Sequence, residues 1–131
     1  MSVSVKIKNY TEKEKLNFIT EFKRKVSLSQ YEILPTAKNE KTKRLYRLND
    51  TKIKEMLMSL VEDDFMYKLP DDNYEQYGPG LLQVYKKEFK LITFQGAEEN
   101  ITIYIKFKET NKNLIPVISF HEDDIREEDK I

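Results

Sequence analysis

Eight consecutive residues, Ile101-Thr102-Ile103-Tyr104-Ile105-Lys106-Phe107-Lys108, alternate apolar and polar without a break. Successive side chains on a strand point to opposite sides, so this run defines a half-buried β-strand. Ile101, Ile103, Ile105 and Phe107 share a core-facing side. Thr102, Tyr104, Lys106 and Lys108 share the other. A polar stretch, Glu109 to Asn113, follows with two asparagines, a residue type that tolerates positive φ. Leu114 to His121 then reads as a return arm, making 101–122 a β-hairpin. Placing Ile118 and Phe120 in the core puts Val117, Ser119 and His121 on the polar side.

Composition narrows the class. A chain of 131 residues predicts a single domain. Charged residues are 35% of it, yet 23 basic and 23 acidic side chains cancel. A neutral total argues against a generic nucleic-acid coat, which is usually strongly basic. The charges are segregated, however. Lys38 to Lys54 holds seven basic and two acidic residues, Glu62 to Gln76 six acidic and one basic, and Glu122 to Ile131 six acidic and two basic. With no cysteine, disulfides and thiolate metal sites are excluded, and a lone histidine disfavours a His-rich metal site. No metal and no cofactor are expected. No apolar run is long enough to span a bilayer, so no membrane association is expected and the cytoplasm is the expected location.

Along the chain, 1–10 reads as an arm or short strand, 11–122 as the folded unit and 123–131 as an acidic tail that frays. Thr11-Glu12-Lys13-Glu14 has capping-box spacing. In the helix it opens, Phe18, Ile19, Phe22 and Val26 fall in roughly a 100° stripe. That helix should end near Ser27. Tyr31 to Leu34 is extended, Asn39 to Tyr46 is a basic short helix, and Asn49 or Asp50 caps a third helix with Ile53, Met56, Leu57 and Leu60 inward. Phe65 to Leu69 reads as a strand and Asp71 to Gly80 as a loop. Leu81 to Phe89 is a strand with Leu82 and Val84 on one side, Gln83 and Tyr85 on the other. Gly96 to Asn100 is read as the turn before the hairpin. Helices followed by strands predict an α+β fold, with a mainly antiparallel meander of 81–89, 101–108 and 114–121, joined by 64–69.

In such a meander Gln83, Tyr85, Tyr104, Lys106, Ser119 and His121 are expected on one surface with no carboxylate among them. Metal-assisted hydrolysis and glycoside chemistry need acidic residues, so both are disfavoured. Lysines neutralise phosphate charge, and tyrosine and histidine move protons or stack on bases. Those are the functions a metal-free ribonuclease requires. On pattern alone, a plain solvated face stands beside this reading.

The strings Val117-Ile118-Ser119-Phe120-His121-Glu122, Tyr104-Ile105-Lys106 and Gly80-Leu81-Leu82-Gln83-Val84-Tyr85 resemble the MqsR-type toxins of toxin–antitoxin systems. Upstream, Ile33-Leu34-Pro35, the helix Ile53 to Leu60 and Asp63-Asp64-Phe65-Met66-Tyr67-Lys68 follow the same order. The resemblance spans about Thr11 to Glu122. It implies a RelE-like fold, a sheet packed by helices on one face. It also implies an mRNA interferase that cleaves single-stranded mRNA without metal and is silenced by an antitoxin protein. By the same resemblance, Tyr104, His121 and Lys68 are the catalytic candidates. Lys106, Gln83 and Tyr85 are the substrate-binding candidates. Lys68 matches across one extra residue, Met66; Gln83 is displaced by one; His121 stands where the family carries lysine. The alternative is a non-catalytic toxin-like interaction protein, of phage or mobile-element origin, that binds a host protein.

Overall fold

The computed structural model describes residues 5–71 and 75–123. The remainder of the N-terminal arm, part of the Asp71–Gly80 loop and the tail beyond Asp123 lie outside the described residues.

Three helices precede most of the sheet. Helix α1 is Glu12–Ser27, opened by a true capping box: Glu14 N donates to Thr11 Oγ1 (3.1 Å) and Thr11 N to Glu14 Oε1 (2.9 Å). Two of the amides that a helix start leaves unpaired are thereby satisfied. Thr36 caps α2 (Ala37–Leu45) and Asn49 caps α3 (Asp50–Met58) by the same kind of bond. Five strands follow the order β1-β5-β4-β3-β2, with β1 Tyr31–Ile33, β2 Phe65–Leu69, β3 Leu82–Ile92, β4 Glu98–Lys108 and β5 Ile115–Glu122. Strands β2 to β5 form the expected antiparallel meander. The short extended piece Tyr31–Ile33 adds a parallel edge strand on β5, which makes the sheet mixed. The class is therefore α+β.

The core lies between one side of the sheet and the helices α1 and α3. Ile19, Phe22 and Val26 of α1 and Ile53, Met56 and Leu57 of α3 meet Ile101, Ile103, Ile105 and Phe107 of β4. Phe22 stacks on Phe107 at 3.9 Å between centroids, and Tyr85 stacks on the same ring at 5.6 Å. Each of these rings is nearly inaccessible, and burying a large apolar side chain contributes about 1.5–3 kcal/mol.

Helix α2 does a different job. Beyond its pairing with β1, strand β5 would expose an unsatisfied edge. Asn39, fully buried, imitates a peptide there: its Nδ2 donates to Ile118 O (3.0 Å) and its Oδ1 accepts from Phe120 N (2.8 Å). Thr42 Oγ1 then accepts from Glu122 N (3.0 Å).

Two sequence readings change. The β3–β4 turn is Thr93–Ala97, not Gly96–Asn100, so β4 starts at Glu98. Gly96, at φ +87°, supplies the left-handed residue while Thr93 N and Ala97 O close the turn at 2.8 Å. In β5 a register shift pairs Lys106 with Ser119 but Phe107 with Val117. The extra residue is Ile118, so Val117 joins the core side and Ile118, though buried, does not belong to the main cluster.

Candidate nucleic-acid interface

Antiparallel partners directly opposite each other lie on the same side of a sheet. Tyr104 is opposite His121 on β5 and Lys86 on β3; Lys106 is opposite Ser119 and Val84. Tyr67 of β2 is opposite Val84. These residues occupy the side of the sheet away from α1 and α3. The Tyr104 and His121 rings stack with centroids 5.5 Å apart and planes 18° from parallel. His121 Nδ1 lies 2.9 Å from Glu122 O; the tautomer protonated at Nδ1 donates there and keeps Nε2 for a ligand. Lys86 Nζ stands 5.9 Å from the Tyr104 ring centre and 3.2 Å from Asp123 Oδ2.

The electrostatics assign each group a charge state. Burial is the largest cause that pushes the Tyr104 phenol above the ordinary tyrosine range; Tyr67 and Asp123 push it further. Tyr104 is thus a neutral phenol, a hydrogen-bond donor rather than a base. Burial lowers the Lys106 ammonium, Asp71 opposes that shift and Lys38 reinforces it. Lys106 has no carboxylate within ion-pairing distance among the described residues. Ser119 is nearly closed off.

Lys68, Gln83 and Tyr85 are elsewhere. Gln83 is opposite Phe107 and Lys68; Tyr85 is opposite Ile105 and Phe65. All three therefore face the helices, and for Gln83 and Tyr85 this corrects the single-surface expectation. The physical reason is the period of two: a one-residue offset turns a side chain to the other side. Lys68 and Gln83, the two positions where the toxin resemblance is offset, both lie on the helix side. In place of them, Tyr67 and Leu82 share the side of Tyr104.

On the helix side these residues form a closed network around Glu109, a carboxylate that nothing in the hairpin pattern singled out. Lys68 Nζ pairs with Glu109 Oε2, Gln83 Nε2 donates to the same oxygen (2.6 Å), and Tyr85 OH donates to Gln83 Oε1 (2.8 Å). Lys68 Nζ also lies 3.7 Å over the Phe18 ring. Burial, with Glu109 and Asp64 adding to it, raises Tyr85 above the usual tyrosine range. The expectation of a carboxylate-free site changes on the other side as well: Asp123 holds Lys86, and Asp71 holds the buried Lys108.

Sequence reasoning missed Lys86, Tyr67 and Asp123. Lys86 was legible in principle, because pairing 81–89 with 101–108 in register sets it opposite Tyr104. Asp123 required the end of β5 to be fixed, which the acidic tail obscured. No family model matches the sequence, and no curated protein matches it. No helix among the described residues is long and apolar enough to cross a membrane.

Proposed function

We propose that this chain binds single-stranded RNA across Tyr104, His121 and Lys106 and cleaves it without metal, as a cytoplasmic toxin-type endoribonuclease restrained by an antitoxin. The observation that carries the reading is the stack of His121 on Tyr104 beside Lys106, a lysine with no carboxylate within ion-pairing distance among the described residues. The resemblance to MqsR-type toxins supports it, as does a sheet covered by helices on one side, the arrangement expected of a RelE-like fold.

In this reading the 2′-oxygen attacks the adjacent phosphorus and the bond to the 5′-oxygen breaks. The His121 imidazolium gives its Nε2 proton to the departing 5′-oxygen. The 2′-hydroxyl proton leaves to solvent. Lys106 faces the charge that builds on the phosphoryl oxygens, and the neutral Tyr104 phenol donates a hydrogen bond to it. Lys68, Gln83 and Tyr85 take no part, because they lie across the sheet. Lys86 stands beside Tyr104 with its charge matched by Asp123.

One observation favours a second reading, a toxin-like protein that has kept binding and does not cleave. On the Tyr104 side Lys86 and Lys108 are each matched to a carboxylate, which leaves few lysines there free to meet phosphate, Lys106 among them. The deciding experiment incubates the purified chain with a defined single-stranded RNA in excess chelator. Cleavage by the parent and not by His121→Ala supports the ribonuclease. Binding with intact RNA supports the second reading, and neither binding nor cleavage removes both.

A further inference from the structure

On the helix side of the sheet, a groove of about 600 Å³ runs between α1 and the loop joining β4 to β5. Its size is that of a small-ligand site. Phe22, Phe107 and Gln83 line it where the chain is buried, together with the more exposed Asn17, Gln30 and Lys112.

Two features of this groove are chemically unspent. Lys25 is 8% exposed, and its Nζ donates to Thr110 O (2.9 Å) and Lys112 O (3.1 Å). An ammonium has three donors, so one remains, and no carboxylate pairs with it among the described residues. Glu21 is forked onto Arg24 and Glu109 is held by Lys68, so the charges left over along the groove are Lys25 and Lys112. Gln83 is 4% exposed and half used: one amide hydrogen goes to Glu109 and one oxygen lone pair takes the Tyr85 hydroxyl. One donor and one acceptor remain on a planar amide, the pair with which glutamine and asparagine read a base edge.

A buried cation beside a half-used carboxamide matches a ligand that joins an anion to a flat donor–acceptor edge. We propose that the groove binds a nucleoside monophosphate, its phosphate on Lys25 and Lys112 and its base edge on Gln83, with Asn17 and Gln30 among the more exposed lining residues. This site is separated by the sheet from Tyr104 and His121 and does not depend on the ribonuclease reading.

The test is an NMR titration of the isotope-labelled full chain with the four 5′-monophosphates, alongside the matching nucleosides and inorganic phosphate. Saturable shifts confined to α1, Gln30, Gln83 and residues 109–113 are expected for at least one nucleotide. Its nucleoside should bind about tenfold or more weakly, because a charge-assisted contact is lost. Lys25→Met should weaken the nucleotide by a similar factor. If that variant fails to fold, the exposed Lys112→Glu serves instead, with the same expectation. Absence of saturable shifts overturns the proposal. So do shifts centred on Tyr104 and His121, inorganic phosphate binding as tightly as the nucleotide, or affinity unchanged in the folded lysine variant.

Discussion

Tyr104 and His121 are register partners on β4 and β5, and their rings stack at 5.5 Å with an 18° tilt. The stack fixes the imidazole plane, so the two residues can be separated by substitution. His121→Ala should bind RNA within a few-fold of the parent and cleave at least ~100-fold more slowly, the low end for a general acid. Tyr104→Phe keeps the stacked ring and loses only the donor, so it should retain binding and lose part of the rate. Single-turnover cleavage rates decide. Equal rates for the parent and His121→Ala would remove the histidine from the mechanism.

Lys68 tests whether the toxin resemblance transfers function at its offset positions. Its ammonium, 8% exposed, is tied to a Glu109 that is 28% exposed. Lys68→Ala leaves that carboxylate half-buried with only Gln83 and a backbone amide to satisfy it. The expected loss is about 1–3 kcal/mol, less than for a fully enclosed pair because water reaches Glu109. The salt dependence of RNA binding should not change. A drop in slope by one contact's share, roughly 0.7 per phosphate on a single strand, would return Lys68 to the RNA-binding surface. Urea melts and salt titrations of the same variant give both numbers.

What the sequence revealed follows from which signals are local. The capping box at Thr11 and the alternation through Phe107 are written in adjacent residues and form as read, and of the two cap residues read, Asn49 or Asp50, the cap is Asn49. Gln83 and Tyr85 were misplaced because alternation gives two phases and does not say which phase faces the helices. That choice depends on pairing Tyr85 with Ile105, a contact across the sheet. The bulge at Ile118 has no signature in Pro116-Val117-Ile118-Ser119 that separates it from regular alternation. Asn39 was read only as part of a basic helix, since its partners Ile118 and Phe120 lie 79 and 81 residues away.

Asn39 therefore carries a prediction of its own. Its side chain gives two hydrogen bonds, to Leu34 O (2.8 Å) and Ile118 O, and accepts one from Phe120 N. Asn39→Ala strands a buried amide and carbonyl on β5, at a cost of about 2–4 kcal/mol. Asn39→Asp restores the acceptor for Phe120 N but sets a carboxylate against two carbonyls, so it should be no better than alanine at neutral pH. Protonation would supply one donor, so Asn39→Asp should recover relative to Asn39→Ala as pH falls. Equal stability of Asn39→Ala and the parent in urea would show that α2 does not seal the edge.

Lys106 joins stability to function with opposite signs. Burial lowers its folded pKa below the ordinary lysine value, with Asp71 opposing and Lys38 assisting. The folded chain therefore holds this proton less tightly than the unfolded chain. The charged lysine is a net cost to folding at all pH values below the lowered pKa. The cost is relieved as pH rises from that value to the ordinary lysine range, near ~10.4, and is absent above it. Lys106→Met should accordingly raise the melting temperature at pH 7, and the gain should shrink to nothing above pH ~10.4. A destabilising cation at a site is the pattern expected where charge serves binding rather than folding. The same variant should therefore bind single-stranded RNA more weakly, with a salt slope shallower by roughly 0.7. Thermal melts from pH 6 to 11 and a salt titration at pH 7 make the comparison. A melting temperature at pH 7 equal to or below the parent's would refute the burial cost. An unchanged salt slope would leave Lys106 without a phosphate to contact.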